Sequence, residues 1–265
     1  MGNPSAHRAK KRFGQNFLHD QGVINRIIAS ISPKPDDHLI EIGPGQGAIT
    51  KELLKAAGRL EAVELDRDLL EPLARTCADL GELHIYNADA MKFEFCKLAE
   101  ADKPLRLVGN LPYNISTPIL FHLLEHAGCI KDMHFMLQKE VVDRIAAEPG
   151  SKTYGRLSIM IQSQCSVTAL FDIGPGAFKP APKVTSGFLR LTPYIENPYD
   201  ISDRALFATL VTQAFSQRRK TLRNCLKKLI GIDVFEAADI DPQQRAEQLA
   251  VADFVRLANA ACKAG

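Results

Sequence analysis

Leu39-Ile40-Glu41-Ile42-Gly43-Pro44-Gly45-Gln46-Gly47 is an apolar run that leads directly into a glycine-rich segment. The apolar residues predict a short strand, and the residues from Ala48 to Ala57 predict the helix that follows it, closed by Gly58. Glycines between a strand and a helix permit a tight turn and let a ligand approach the backbone closely. This unit is typical of the ligand-binding end of an open α/β sheet.

Strand and helix patterns continue to alternate after this unit. The further predicted strands cover residues 60–65, 83–86, 105–108, 133–137, 167–171 and 188–191. The further predicted helices cover residues 69–78, 118–126 and 156–165. Such alternation predicts an α/β fold with a mainly parallel sheet and helices on both of its faces.

The pattern changes near residue 200, where Pro193, Asn197 and Pro198 interrupt it. The sequence beyond this point predicts helices at 203–216, 217–229, 242–248 and 251–262. We therefore expect two domains, an α/β domain over residues 1–200 and a small all-helical domain over residues 201–265.

The composition is that of an ordinary globular protein, with 265 residues of which 46% are apolar and 24% are charged. It excludes wholesale disorder, and no apolar run approaches the length of a membrane span. Residues 1–12 lack the apolar segment of a secretory signal. The six cysteines are scattered without a zinc-binding spacing, so we expect free thiols and a reducing, cytoplasmic location.

The net charge of +2 conceals two basic blocks that contain no acidic residue. The first contains Arg8, Lys10, Lys11 and Arg12, and the second contains Arg218, Arg219, Lys220, Arg223, Lys227 and Lys228. Such blocks can bind a polyanion locally, although each is equally consistent with a solvated surface. A helix over 217–229 would place Arg219 and Arg223 on one face.

Two carboxylates follow the next two predicted strands. Glu64 ends the second strand, where a ribose-binding acid is expected, and Asp89 follows the third. Carboxyl ends of parallel strands meet at one edge of the sheet, which favours an adenosine-containing ligand there. Because Gly43-x-Gly45-x-x-Ala48 also fits the NAD fingerprint, an NAD oxidoreductase is an alternative, although no hydride-relay residue is identifiable.

Asn110-Leu111-Pro112-Tyr113 follows the fourth predicted strand. The segment resembles the acceptor motif of S-adenosylmethionine-dependent adenine-N6 methyltransferases. The amine of adenine is a poor nucleophile because its lone pair is delocalised into the ring. An Asn oxygen and a backbone carbonyl can accept both amine hydrogens and so free that lone pair, and a Tyr ring offers a face to an unstacked base.

Two flanking segments narrow the resemblance to one family. Lys11-Arg12-Phe13-Gly14-Gln15-Asn16-Phe17-Leu18 and Phe178-Lys179-Pro180-Ala181-Pro182-Lys183-Val184-x-Ser186 resemble motifs of the ribosomal RNA adenine dimethyltransferases of the KsgA type. The resemblance runs in order from about Lys11 to Leu191 and implies a Rossmann-like methyltransferase domain. The basic helical tail matches the family in placement and character.

The resemblance implies a role for each matched position. The residues that would bind S-adenosylmethionine are Asn16, Leu18, Gly43, Glu64, Asp89 and Asn110. The residues that would form the catalytic site are Asn110, Leu111, Pro112, Tyr113 and Phe178, with Tyr113 and Phe178 enclosing the target base. Arg218, Arg219, Lys220 and Arg223 would contact RNA.

The family's reaction gives N6,N6-dimethyladenosine at two adjacent adenosines in the 3′-terminal hairpin loop of 16S rRNA, within the small ribosomal subunit or its precursor. The resemblance thus implies a role in small-subunit biogenesis. The sulfonium is already an activated leaving group, so positioning and hydrogen bonding would carry the catalysis without a metal or a general base. We expect a monomer with no membrane contact.

Besides the NAD oxidoreductase, three further alternatives remain open at this point. A related enzyme would methylate adenine in large-subunit rRNA, and a mainly non-catalytic assembly factor could use the same fold. His122-Leu123-Leu124-Glu125-His126 also matches the H-x-x-E-H pattern of inverted zinc peptidases, but no third metal ligand can be placed.

Overall fold

The computed structural model describes residues 15–100 and 103–264. The basic residues Arg8 to Arg12, and the Lys11–Gly14 part of the N-terminal motif, lie outside the described residues. The strands are β1 (Phe17–Leu18), β2 (His38–Ile42), β3 (Arg59–Glu64), β4 (Glu82–Asn87), β5 (Leu105–Asn110), β6 (Ile130–Gln138), β7 (Cys165–Ile173), β8 (Phe178–Lys179) and β9 (Ser186–Pro193). The α-helices are α1 (Gln21–Ile31), α2 (Thr50–Ala57), α3 (Arg67–Cys77), α4 (Ser116–Glu125), α5 (Lys139–Ile145), α6 (Arg156–Gln162), α7 (Arg204–Ala214), α8 (Leu222–Leu226), α9 (Ile232–Ala237) and α10 (Val251–Ala264).

Seven strands form one sheet in the order β4-β3-β2-β5-β6-β9-β7. The pairs from β4 to β6 are parallel, whereas β9 runs antiparallel to β6. The predicted α/β fold with a mainly parallel sheet is thus confirmed. β2 is buried along its whole length and β5 over residues 105–109, as expected of central parallel strands that are covered on both faces.

A second, two-stranded sheet pairs β1 with β8 in antiparallel register, so that Leu18 lies opposite Phe178. The sequence patterns did not predict either strand. Both segments contribute to the core beside the sheet, where Leu18 and Phe178 are buried with Ile27, Leu53 and Phe188.

The described residues divide into two compact units, one reaching to Val142 and including Thr168–Pro193, the other comprising Asp143–Val167 and the residues from Tyr194. This division differs from the predicted boundary near residue 200. The physical reason is that Tyr154 and Ile159 are buried in the core formed by α7 to α10. The Tyr154 hydroxyl donates to the Leu249 carbonyl oxygen at 2.9 Å, which joins this segment to that core.

The predicted helix over 217–229 is wrong in its first half, because residues 215–220 form turns and α8 begins only at Leu222. The first N–H groups of α8 donate elsewhere: Leu222 N to the Gln244 oxygen at 2.8 Å and Arg223 N to the Pro242 oxygen at 3.0 Å. An N–H that bonds to a distant carbonyl cannot also bond to the preceding turn, so the helix cannot extend backwards. The predicted helix over 242–248 is likewise only a short 3-10 turn at Ala246–Gln248.

The prediction of six free thiols is wrong for one pair, since Cys96 and Cys129 form a disulfide. These residues lie in short 3-10 turns, at Phe95–Leu98 and after α4, which the fold brings together across 33 positions of the sequence. Cys77, Cys165, Cys225 and Cys262 are free thiols. No described helix combines the length and the hydropathy that a membrane span requires.

Candidate active site

A cavity of about 380 Å³ opens at the carboxyl ends of β2, β3 and β5. The order of the strands reverses at β2, which has β3 on one side and β5 on the other, and ligands of open α/β sheets bind at such a point. The predicted site residues that line this cavity are Asn16, Leu18, Gly43, Glu64, Asp89, Asn110, Leu111, Pro112 and Tyr113. The structure therefore brings together residues that are spread over nearly one hundred positions.

The glycine loop after β2 forms one wall of the cavity. Gly43 has φ +68°, and a Cβ placed there would have no neighbouring atom closer than 4.0 Å. Gly47 has φ +80°, and its Cβ would come within 2.8 Å of the Leu73 side chain. Gly43 therefore presents bare backbone to the cavity, whereas Gly47 permits the loop to pack against α3.

Glu64 is held in place by two backbone donors at the end of β3. Its carboxylate accepts hydrogen bonds from Asp66 N at 2.8 Å and from Gly45 N at 3.2 Å. Burial raises the pKa of Glu64, and these two hydrogen bonds oppose the increase. The side chain is thus a fixed acceptor at the cavity wall. Asp89 is also fixed locally, because its carboxylate accepts from Met91 N at 3.0 Å.

Glu41 is a second buried carboxylate in the cavity wall, and the sequence reasoning assigned no role to it. It is 2% exposed and accepts a hydrogen bond from Thr50 Oγ1 at 2.5 Å. Burial raises the pKa of Glu41 to about 7, with Glu64 adding to the increase and Thr50 opposing it. The signal available in the sequence was an acidic residue inside an otherwise apolar strand.

The charge of the cavity distinguishes between nucleotide ligands. Its described lining residues include Glu41, Glu64 and Asp89 but no Lys, Arg or His. A pyrophosphate, as in NAD, would meet these acids without a compensating cation. A cationic ligand with a ribose is better accommodated, because it complements the acidic wall and leaves Glu64 to accept from the hydroxyls. The donor set therefore fits S-adenosylmethionine, with its sulfonium and ammonium groups, better than NAD.

The Asn110–Tyr113 segment leaves β5 at the other wall of the cavity. Leu111 is 1% exposed, and its N–H donates to the Met136 oxygen at 3.2 Å, which anchors the turn to β6. Asn110 Nδ2 donates to the Asn16 carbonyl oxygen at 2.9 Å. That contact uses the amide nitrogen and so sets the orientation of the amide, with its oxygen directed away from Asn16.

Phe178 is placed differently from the other predicted catalytic residues. It is 3% exposed, lies opposite Leu18 in the β1–β8 pair, and is not among the residues that line the cavity. Its role in enclosing the base therefore stays a prediction. Truncating this ring would also remove core packing, at a cost of about 3–5 kcal/mol of stability.

The predicted RNA-contacting residues lie in the second unit. Arg218 forms an ion pair with Glu247 at 2.9 Å. Arg219, Lys220 and Arg223 are exposed and make no ion pair with any residue that the structure describes. Their shared helical face is not formed, because Arg219 and Lys220 precede α8.

The H-x-x-E-H segment spans the end of α4. His122 Nε2 lies 3.0 Å from the Phe93 carbonyl oxygen, and His126 follows the last residue of the helix. Within residues 15–100 and 103–264, no group of three or more His, Cys, Asp or Glu side chains could hold a metal ion. The histidine pair thus gains no third ligand from the described residues.

Because the pKa of Glu41 is raised in the folded state, we expect the free energy of unfolding to decrease as the pH rises. The folded state retains a proton that the unfolded state releases near pH 4.5, so stability is lost as the pH rises from about 4.5 to about 7. The loss is about 3 kcal/mol for a shift of this size. Glu41→Gln, which can still accept from Thr50, should remove this component.

The measurement is the free energy of urea unfolding at about pH 5 and about pH 8, for the wild type, Glu41→Gln and a control variant. Glu82→Gln, at an exposed position on β4, is the matched control. An equal pH dependence in the wild type and Glu41→Gln would contradict the prediction.

Comparison with known proteins gives consistent results. Residues 6–263 match the protein family described as ribosomal RNA adenine dimethylase. The chain is 58% identical to ribosomal RNA small subunit methyltransferase A of Hahella chejuensis, covering 96% of this chain and 93% of the relative. It is 56% identical to the protein of the same name from Pseudomonas aeruginosa, covering 96% and 94%.

Two solved structures share the fold over nearly the whole chain. A dimethyladenosine transferase from Plasmodium falciparum has a TM-score of 0.77 at 26% identity, covering 91% of this chain and 95% of that one. A 23S rRNA methyltransferase, ErmE, has a TM-score of 0.71 at 23% identity, covering 92% and 99%. The second likeness concerns the fold alone.

Proposed function

Since the chain belongs to the ribosomal RNA adenine dimethylase family, we propose that its substrate is the small-subunit rRNA. The enzyme dimethylates the N6 amines of two adjacent adenosines in the 3′-terminal hairpin loop of that RNA. The chain is an S-adenosylmethionine-dependent methyltransferase that acts on rRNA. The small subunit, rather than the large one, is favoured by the name of the relatives at 56–58% identity. The reaction takes place in the cytoplasm on the small subunit or its precursor, and the enzyme acts as a monomer.

The observation that supports the proposal is the shared cavity of the acidic residues and the Asn110–Tyr113 segment. Bound S-adenosylmethionine supplies a methyl group on a sulfonium, which needs no further activation. Glu64 would accept hydrogen bonds from the ribose hydroxyls and Asp89 from the adenine amine of the cofactor, and Asn16, Leu18 and Gly43 would enclose it. The carboxylates of Glu64 and Asp89 are already held by backbone N–H groups, as catalysis by positioning requires.

The target amine is activated by Asn110 and the turn that follows it. The amide oxygen of Asn110 and a backbone carbonyl of the turn accept the two amine hydrogens, so the nitrogen becomes pyramidal with its lone pair directed to the methyl group. Leu111 and Pro112 shape this amine site, and Tyr113 and Phe178 enclose the ring of the flipped base. The amine loses its proton to water after attack, so no side chain is assigned as a general base.

The proposal is tested by methyl transfer from labelled cofactor to unmethylated small subunits, with the modified nucleotides mapped. Label in two adjacent adenosines near the 3′ end is the expected result. Label in large-subunit rRNA, or no label in either, would contradict it. A purified factor that binds the subunit without transferring label would favour the assembly-factor alternative.

We expect Glu64→Ala to weaken S-adenosylmethionine binding by about 1–3 kcal/mol, because the ribose hydroxyls lose a charged acceptor. The Gly45 and Asp66 N–H groups lose the same acceptor, which adds to the effect. Titration calorimetry of the purified variant measures it. Glu82→Ala, at the opposite end of β4 from the cavity, controls for the loss of a carboxylate, and equal affinities of all three proteins would remove Glu64 from the site.

A further inference from the structure

The hydroxyl group of a half-buried tyrosine meets that of a buried serine beside the active-site cavity. Tyr113 Oη and Ser186 Oγ are 2.7 Å apart, and Ser186 is 1% exposed. Ser186 begins β9 and lies opposite Gln138, the last residue of β6. Because β6 separates β5 from β9 in the sheet, this hydrogen bond crosses the carboxyl end of β6 and joins the Asn110–Tyr113 segment to a strand two places away.

The backbone that carries Ser186 is fixed on several sides. It pairs with β6, and Lys139 N donates to the Thr185 oxygen at 2.9 Å. The next residue, Gly187, lies so close to Val142 that an added Cβ would be 3.0 Å from that side chain. The Ser186 hydroxyl is therefore a fixed point rather than a group that can follow Tyr113 if its ring moves.

A tyrosine ring has two soft torsions, and a hydrogen bond at its far end restrains both. Burial raises the pKa of Tyr113, so the phenol stays neutral and able to form this bond. Breaking the bond leaves a buried hydroxyl without its partner, which is costly. The contact thus holds the plane of a ring that lines the cavity.

We propose that Ser186 is a positioning residue for methyl transfer, which holds the Tyr113 ring in the plane that the target base requires. The inference rests on the proposed function, in which Tyr113 contacts the base. Ser186 itself touches neither base nor cofactor. A tilted ring would still leave room for the base, but the amine would sit away from the methyl group, so turnover suffers more than binding.

The test is a double-mutant cycle of Ser186→Ala and Tyr113→Phe, each of which removes one end of the bond. The readouts are kcat and KM for methyl transfer to unmethylated small subunits, together with cofactor affinity by calorimetry. Ser163→Ala is the matched control, because Ser163 is equally buried, its hydroxyl donates to the Met160 oxygen at 3.1 Å, and it is not among the residues that line the cavity.

We expect each single variant to lower kcat by about tenfold with little change in KM or in cofactor affinity. The double variant should be no slower than the slower single variant, because both remove the same bond. Ser163→Ala should keep the wild-type kcat although its stability falls by a similar amount.

A wild-type kcat in Ser186→Ala, or single effects that multiply in the double variant, would overturn the inference while leaving the proposed function intact. If Ser186→Ala does not fold, Tyr113→Phe decides the question, and an unaltered kcat there overturns it equally. A wild-type enzyme that transfers no methyl group to small-subunit rRNA would overturn the proposed function and this inference with it.

Discussion

Asn110→Ala is expected to lower the rate of methyl transfer by about 10²–10³-fold while the protein remains folded. In the proposed mechanism, the substitution removes the amide oxygen that would accept from the target amine, a contact that would matter most as the nitrogen becomes pyramidal. It also removes the hydrogen bond from Asn110 Nδ2 to the Asn16 oxygen, which sets the orientation of the amide. Single-turnover transfer from labelled cofactor to unmethylated small subunits measures the effect.

Asn110→Asp separates the two contributions. It keeps an oxygen acceptor but cannot donate to the Asn16 oxygen, so its rate should lie between those of the wild type and Asn110→Ala. Asn25→Ala, at an exposed position on α1, is the control for loss of an amide. Near-normal rates in both Asn110 variants would defeat the proposed activation of the amine.

The parts of the site that could be predicted from the sequence are those set by local rules. A buried strand that ends in glycines places a loop at the carboxyl edge of a parallel sheet. Glu64, Asp89 and Asn110 then follow, because each stands at the end of the next strand in a βα series. The structure places all three at one cavity. Their orientation there depends in addition on contacts that spacing does not supply, such as the hydrogen bond from Asn110 Nδ2 to the Asn16 oxygen.

The parts that could not be predicted depend on contacts between distant segments. The β1–β8 pair joins two residues near position 17 to two near position 178, which is too short for any periodic pattern. This pairing explains why Phe178 is buried, whereas its motif suggested a ring facing the base. The Tyr113–Ser186 hydrogen bond and the Cys96–Cys129 disulfide could not be predicted either, because each also joins residues that are distant in the sequence.

The second basic block, within residues 218–228, contains only basic charges in the sequence, but the structure shows that one of these charges is already paired. Arg218 is neutralised by Glu247 and also donates to the Lys152 carbonyl oxygen. It therefore serves the second unit's own structure. Arg219, Lys220 and Arg223 are exposed and unpaired among the described residues, and remain available for phosphate contacts. Ion pairing therefore removes only Arg218 from the block of six, and among the described residues Lys227 and Lys228 are likewise exposed without an ion pair.

Reversal of Arg219, Lys220 and Arg223 to Glu is expected to weaken binding to the small subunit and to flatten its salt dependence. Each phosphate contact that is lost reduces the number of counterions released on binding. The slope of log K against log salt should therefore become shallower by about 0.7–0.9 per contact, or by about two to three units for three residues. The affinity for the small subunit at low salt should fall by about tenfold to a hundredfold, as expected when several phosphate contacts are lost. Cofactor affinity should not change, because the cofactor cavity is lined by residues of the first unit.

Binding to purified small subunits at several salt concentrations measures both quantities. Reversal of Lys34, Arg190 and Lys263 to Glu is the matched control, since these residues are also exposed without an ion pair among the described residues and give the same change in net charge outside the block. A general effect of net charge would change the affinity and the salt slope of both triple variants equally. A local phosphate-binding surface would change them only in the Arg219, Lys220 and Arg223 variant.

Arg218→Ala provides the remaining comparison. Because Arg218 already forms an ion pair with Glu247, its substitution should lower stability while leaving the salt slope close to that of the wild type. An unaltered slope together with unaltered affinity in the Arg219, Lys220 and Arg223 variant would leave these residues as a solvated surface without a role in RNA binding.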